Sequence, residues 1–390
     1  MFIVYTHDLS FEPATLMPEA EALRSEVREF LCEQKRINPW SPNSDFGSGF
    51  SRAFTKAIAS KGWIGMTWPK KYGGHERSML ERYVVTEELL VAGAPVFAHW
   101  VADRQSGPLL LRFGTEKQRQ DILPKIAAGE CFFSIGMSEP DSGSDLVSIR
   151  TKAVSTKMGW CLNGAKVWTS NAHCNHWMIA LCRTSDPNEK RHSGLSQFLV
   201  DLKNDDVTIN PIINMLGQHE FNEVVLNDVK IPRDRLIGQE GDGWAQVTSE
   251  LAYERSGPER FLSNFHIFRA LIDEIGDKPT DRQKELIGSL ASNLWTLRSM
   301  SVSVASMLEN GNSPDIEAAI VKDLGNKFER QVIEVARSII SMEPLSSSKS
   351  NNVEFSAVLS EGMLRLPSFT IRGGTTEIMR SIIARGLGLR

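Results

Sequence analysis

The sequence predicts an α+β fold of three successive parts. These are an N-terminal helical domain over residues 1–129, a middle antiparallel β-barrel or sandwich over 130–240, and a C-terminal four-helix bundle over 241–390. Changes in hydrophobic period carry that prediction. Apolar residues recur at helical spacing up to Gly129. From Cys131 to Leu226, short β-branched segments alternate with Gly, Asn, Asp and Pro, and from Asp242 the helical period returns. The chain has 390 residues, 41% hydrophobic and 24% charged, enough for well-buried cores in more than one domain.

Taken in order, Leu23, Val27, Phe30 and Leu31 share one face of a helix that Pro18 opens, and a second helix is expected from Phe50 to Lys61. Ser78 with Glu81 has the form of a capping box, predicting a helix to about Val91; Thr115 with Gln118 predicts another through Ile122 and Ile126. Strands are expected at 131–137, 151–157, 160–163, 166–170, 177–182, 195–202, 207–213 and 223–226. In the bundle, Ile287, Leu290, Leu294, Leu297, Val304 and Met307 form one apolar stripe. Ile316, Ile320, Leu324, Val332, Val335 and Ile339 form another, opened by Ser313-Pro314.

Composition excludes several roles. A net charge of −4 without a basic tail or patch argues against a nucleic-acid partner or an anionic membrane surface. Cys32, Cys131, Cys161, Cys174 and Cys182 show no paired spacing, so free thiols in a reducing compartment are expected. No apolar run reaches bilayer length, and Met1 to Asp8 lacks the form of a signal peptide, so a cytoplasmic location is expected. The Ser-rich run Ser346 to Asn352 reads as a loop, and no internal repeat is present.

The chemistry concentrates in Gly136-Met137-Ser138-Glu139-Pro140-Asp141-Ser142-Gly143-Ser144-Asp145, answered by Lys166-Val167-Trp168-Thr169-Ser170. A turn of this composition offers hydroxyls and free N–H groups to an anionic ligand. The second run offers a flat ring and two hydroxyls to a planar heterocycle. The order of these residues closely resembles the flavin-binding core of the acyl-CoA dehydrogenase family. So do Phe113-Gly114-Thr115-Glu116, Asn222-Glu223-Val224-Val225-Leu226-Asn227-Asp228-Val229 and Gly373-Gly374-Thr375-Thr376-Glu377-Ile378-Met379-Arg380, in family order.

The resemblance implies FAD as cofactor, with Ser138 and Ser170 bonding the isoalloxazine and Trp168 packed on it. Ile135 and Met137 would give main-chain contacts and Ser144 would bond the pyrophosphate. Thr375 and Glu377 would lie near FAD at a subunit interface of a homodimer or homotetramer. It also implies α,β-dehydrogenation of an acyl-CoA thioester: a carboxylate takes the Cα proton, hydride leaves Cβ for the flavin, and an electron-transfer flavoprotein takes the electrons on.

Many members carry the catalytic glutamate two residues before the Thr of the C-terminal motif, where this chain has Gly373. A subset places it on the first long helix after the β-domain, and Glu254 in Leu251-Ala252-Tyr253-Glu254-Arg255 matches that position. Glu254 is therefore the expected base, with Gly373 donating its backbone N–H to the thioester carbonyl and Arg255 a candidate substrate contact. Glu250, one turn earlier, is a like charge of the kind that raises a carboxyl pKa.

Two family elements, Arg-x-x-Phe-Gly and Gln-x-x-Gly-Gly, are absent. Both normally hold FAD from a neighbouring subunit. Two alternatives therefore stay open: a redox-inactive subunit of a heteromeric complex, or an oxidase or monooxygenase on the same fold. Minor candidates read as structural. His173 with His176 lacks a full ligand set, His99-Trp100 and Asp103-Arg104-Gln105 fit ordinary packing, and Gly238 to Gly243 has no surrounding βαβ unit.

Overall fold

The computed structural model describes residues 9–42, 49–185, 192–339 and 353–389, without the side chains of 250–254, 353 and 354. The Ser-rich run, the first eight residues and the side chains of Glu250 and Glu254 fall outside that description. In chain order the helices are α1 (Pro18–Ile37), α2 (Arg52–Ser60), α3 (Met79–Val91), α4 (Phe97–Val101), α5 (Gly107–Phe113) and α6 (Glu116–Ala127). After the strands come α7 (Gly243–Glu254), α8 (Phe265–Ile275), α9 (Asp281–Glu309), α10 (Asp315–Ile339), α11 (Val353–Phe369) and α12 (Thr376–Gly386). Both expected capping boxes are present, at Ser78/Glu81 and Thr115/Gln118. The strands are β1 (Phe133–Gly136), β2 (Lys152–Ser155), β3 (Gly159–Lys166), β4 (Trp177–Arg183), β5 (Leu195–Asp201), β6 (Val207–Ile213), β7 (His219–Pro232) and β8 (Leu236–Ile237).

The chain packs as two compact units. One holds the chain up to Phe50, Arg77–Phe97 and the chain from Ala252; the other holds Ser51–Glu76 and Ala98–Leu251.

The second unit is built on one sheet of order β6-β7-β3-β2-β4-β5-β8, with β1 paired to β4. The expected barrel is not closed. β8 has only two residues and β6 carries Pro211, which has no N–H for a further ladder. Nor is the sheet wholly antiparallel, since β1 runs parallel to β4. Trp160, Leu162, Met178, Ala180, Phe198, Val200, Val224, Leu226 and Val229 fill its main core, most of them alternating along their strands as side chains on one face of a sheet do, while β4 and β5 are buried on both faces.

Two strands expected at 160–163 and 166–170 are one strand, β3, which bulges between Leu162 and Gly164 and stops at Lys166. Residues 167–170 leave the sheet because Trp168 takes φ +58°, the left-handed region that breaks a strand. The strand expected at 223–226 is part of the longer β7, His219–Pro232.

In the first unit α10 packs against α8, α9, α11 and α12 and is buried on most sides. The α9 stripe holds at Leu290, Leu297 and Val304. The α10 stripe does not hold at Leu324, which is exposed; Lys322, Asn326 and Glu329, spaced i, i+4, i+7, are buried along one line instead. Elsewhere in this unit, Arg24, Arg28 and Arg298 converge on the buried carboxylates of Glu87 and Glu88 of α3.

Candidate functional site

The turn that follows β1 is organised by a buried ion pair. Lys166, fully buried at the end of β3, places Nζ 2.8 Å from Glu139 Oε1 and 3.1 Å from the Met137 carbonyl oxygen. Glu139 also accepts the N–H groups of Arg150 (2.6 Å) and Thr151 (2.9 Å). Burial alone would push its carboxyl pKa up, but Lys166 and these donors hold it below the usual value. Ser142 Oγ donates to the Asp145 carbonyl oxygen at 2.7 Å, so Ser142 and Asp145 shape the loop. Ser144 stays exposed on its outer arm.

The two motifs meet directly: the N–H of Val167 donates to the Ser138 carbonyl oxygen at 2.9 Å. Beyond it Trp168 is 60% exposed, with Phe221 edge-on at 6.0 Å. Ser134 Oγ donates to the Ser170 carbonyl oxygen at 2.8 Å, and Asn175 Nδ2 donates to Ser134 Oγ at 2.8 Å. Thr169 is held from behind by Asn222, whose Oδ1 accepts from His173 Nδ1 (3.1 Å) and His219 Nε2 (2.7 Å). Those two imidazoles stack 3.8 Å apart. His173 is thus occupied in this clamp, while His176 Nδ1 accepts the Phe132 N–H at 3.1 Å. Among the described residues no cluster could hold a metal ion.

His99, buried in the same unit, is hydrogen-bonded through Nδ1 to Thr55 Oγ1 at 3.0 Å. Burial pushes its pKa down to about 4. Arg104 lies over the Trp100 ring at 4.6 Å and Asp103 accepts the Gly65 N–H at 2.7 Å, which is the packing role expected of this segment.

In the helical unit the turn between α11 and α12 carries Arg372-Gly373-Gly374-Thr375. Both glycines lie in the left-handed region, at φ +63° and +94°. No acceptor among the described residues takes the N–H of either. Thr375 caps α12, its Oγ1 accepting the Ile378 N–H at 3.4 Å, and Glu377 sits exposed in the first turn. That placement by itself accounts for both residues as helix-capping groups. Arg255 is buried, its Nη2 3.8 Å from where a Gly374 Cβ would be. Glu254 is the last residue of α7.

Models of the acyl-CoA dehydrogenase N-terminal, middle and C-terminal domains match residues 17–130, 134–229 and 241–388. The chain belongs to the acyl-CoA dehydrogenase family. It is 32% identical over 381 residues to the acyl-CoA dehydrogenase FadE29 of Mycobacterium tuberculosis, covering 95% of this chain and 96% of that one. Among solved structures, the Tcur3481-Tcur3483 steroid ACAD aligns with a TM-score of 0.84 at 25% identity, covering 98% and 99% of the two chains. The ChsE4-ChsE5 complex from Mycobacterium tuberculosis aligns at 0.83 and 26%, covering 97% and 99%.

As a member of this family the enzyme is an FAD-dependent acyl-CoA dehydrogenase, and its sheet unit fits the cofactor. The exposed indole of Trp168 lies in the chain next to the buried Thr169 and the half-exposed Ser170, with Ser138 tied to Val167, and among the described residues the Thr169 Oγ1 has no hydrogen-bond partner. A planar, polar-edged ring would use that set.

Sequence reasoning met Asn222 only as part of a family fragment and gave no role to Glu329. The polar spacing of Lys322, Asn326 and Glu329 inside a helix that also carries an apolar stripe was the available signal for the last of these.

Proposed function

We propose that this acyl-CoA dehydrogenase desaturates acyl-CoA thioesters with a bulky, ring-bearing acyl group, with Glu254 as base and Gly373 as a backbone donor to the thioester carbonyl. The bound FAD supplies the hydride acceptor, and Ser138, Trp168 and Ser170 are the residues proposed to hold its ring. Glu254 takes the Cα proton. The electron pair left behind spreads onto the thioester oxygen, which the Gly373 N–H stabilises as an oxyanion-hole donor does.

The observation that carries the base assignment is at Gly373. A Cβ there would lie 3.0 Å from both Arg260 Nη1 and Nη2, at a φ that side chains rarely adopt. Gly373 brings no carboxylate of its own and a side chain there would be strained, so we place the base on another element, and Glu254 is the candidate that the sequence supplies. The acyl class is inferred from the end-to-end likeness to a steroid ACAD.

Ser144, Thr375 and Glu377 are proposed as contacts to the rest of FAD, and Arg255 as a residue acting from behind the substrate. We propose an electron-transfer flavoprotein as acceptor. A homo-oligomer is the simple expectation for the family, but the absent FAD-holding elements and the likeness to the ChsE4-ChsE5 complex favour assembly with a second, related chain.

A panel of acyl-CoA thioesters tests the reading through anaerobic bleaching of the flavin band. Ring-bearing acyl groups should bleach it at least about tenfold faster than straight short chains, about 1.4 kcal/mol of discrimination. A preference for short straight chains would contradict the acyl class. Rapid reoxidation by air with peroxide release would point to an oxidase, and purification of the chain without flavin to a binding subunit.

A further inference from the structure

The run from Trp168 to Asn171 is seated on β7. Thr169 and Asn222 exchange backbone N–H···O bonds at 3.0 and 3.1 Å, and the Asn171 N–H donates to the Glu220 carbonyl oxygen at 2.8 Å. Trp168 at one end of this short ladder and Asn171 at the other lie in the left-handed region, at φ +58° and +51°. A bulky residue such as Trp168 keeps that backbone only where its surroundings hold it there.

Asn222 supplies part of that hold, and its orientation fixes the protons of its neighbours. Its Nδ2 donates to the Thr169 carbonyl oxygen at 3.0 Å, so its Oδ1 is the acceptor end of the amide. His173 Nδ1 (3.1 Å) and His219 Nε2 (2.7 Å) both address that oxygen, so each carries its hydrogen there. His173 Nε2 and His219 Nδ1 are therefore the atoms that further protons would take. The two rings stack at 3.8 Å with 19° between their planes.

One added proton leaves both bonds to Asn222 in place, because an imidazolium donates from either nitrogen. A second sets two cations face to face at 3.8 Å, and the stacked arrangement is disfavoured. His173 is open to solvent and His219 half-buried, so protons reach the pair. Partial burial, and after it the imidazole of His219, keep His173 below the ordinary histidine value; Asn222 acts the other way.

The charged groups around the pair have other engagements. Glu220, next along β7, accepts from Asn214 Nδ2 at 3.0 Å. Arg52 of α2 donates to the Cys174 carbonyl oxygen at 2.6 Å and bears on Cys174 and His176. Asp201 at the end of β5 and Lys203 beyond it also bear on His176. His176 titrates separately, since a proton on its Nδ1 would displace the Phe132 N–H.

We propose that His173 and His219 are positioning residues of the flavin site, holding Thr169 through Asn222 and releasing the platform when both imidazoles are charged. The inference rests on Trp168 and Ser170 as residues that hold the FAD ring. With the platform released, both histidines are free to be charged; with it closed, the pair holds one proton at most. Binding FAD in acid therefore expels a proton. Affinity is intact above about pH 6.5 and falls as the pH drops below it.

The test is fluorescence titration of the full-length apoprotein with FAD between pH 5 and 8. In the double variant His173→Asn with His219→Gln, an amide nitrogen takes the place of each donating ring nitrogen, and neither new side chain titrates. At pH 8 it should bind FAD within about twofold of wild type. At pH 5 wild type should have lost about tenfold more affinity than the double variant, one pKa unit's worth of coupling. His173→Phe keeps a ring but removes the donor, and should weaken FAD binding at every pH.

Trp168→Ala, measured at pH 8, separates the two readings. If it leaves FAD affinity unchanged, the reading of the platform fails, and the histidine proposal with it. If it weakens FAD while the pH curves of wild type and the double variant run parallel, the histidine proposal fails alone. Should the double variant not fold, imidazole NMR of the FAD-loaded wild type decides: the pair should take up one proton before FAD is released, and uptake of two would overturn the proposal.

Discussion

Asn222 and Thr169 are joined by three hydrogen bonds. The Thr169 N–H donates to the Asn222 carbonyl oxygen (3.0 Å), and the Asn222 N–H (3.1 Å) and Nδ2 (3.0 Å) both donate to the Thr169 carbonyl oxygen. Asn222 Oδ1 meanwhile takes a donor from each of two stacked histidines. The residue between Trp168 and Ser170 is thus fixed from behind, which is what the proposed cofactor platform with its left-handed backbone at Trp168 needs. Asn222→Asp keeps the acceptor for the histidines but loses the donor to Thr169. It should weaken FAD binding about tenfold, equivalent to about 1.4 kcal/mol. Fluorescence titration of the apoprotein with FAD measures this, and an unchanged dissociation constant would detach Asn222 from the platform.

The Lys166–Glu139 pair sets the same platform from the other side. Lys166→Met leaves Glu139 buried without its cation, and unfolding in urea should show a loss of about 3–5 kcal/mol. Lys166→Met combined with Glu139→Gln should recover a large part of that, because the uncompensated charge is gone.

In the helical unit, Glu88 ties Arg24 and Arg28 of α1 to α3. Glu88→Gln should cost about 2–3 kcal/mol in thermal or denaturant unfolding, the scale for lost charged hydrogen bonds. FAD content should not change, since no proposed cofactor residue touches this network.

Acid should destabilise the protein through buried imidazoles. Burial holds His99 and His266 at about 4, against an ordinary value of 6.5. The unfolded chain therefore binds more protons between those values, so the contribution is intact above pH 6.5 and lost as pH falls toward 4. Each group accounts for about 3 kcal/mol at the acid end. The melting temperature should fall over this window in wild type and fall less steeply in His99→Gln.

Much of this was legible in the sequence because the signals were local. The capping residues Ser78 and Thr115, the apolar line Leu290, Leu297 and Val304, and the succession of helical and β segments all act over one or two turns. The open sheet was not legible, since closure depends on whether β6 and β8 meet, a relation over some thirty residues that no local pattern encodes. The run Val167 to Ser170 read as a strand because Val, Trp and Thr favour one; the left-handed Trp168 is a tertiary demand. The flavin motif was visible as residue order, while the clamp at Asn222 and the arginines behind Gly373 arise from residues far apart in the chain. Leu324 followed the helical period yet faces outward, because buried Lys322, Asn326 and Glu329 occupy α10's inward line.

The central claim is that Glu254, and no residue of the 373 turn, takes the Cα proton. The direct measurement is anaerobic stopped-flow absorbance of Glu254→Gln mixed with an acyl-CoA that reduces wild type. The variant should purify yellow with a full complement of FAD, bind the acyl-CoA, and show bleaching slowed by at least about a thousandfold, the upper part of the range for losing a general base. Bleaching at the wild-type rate would contradict the assignment and remove Glu254 from the mechanism.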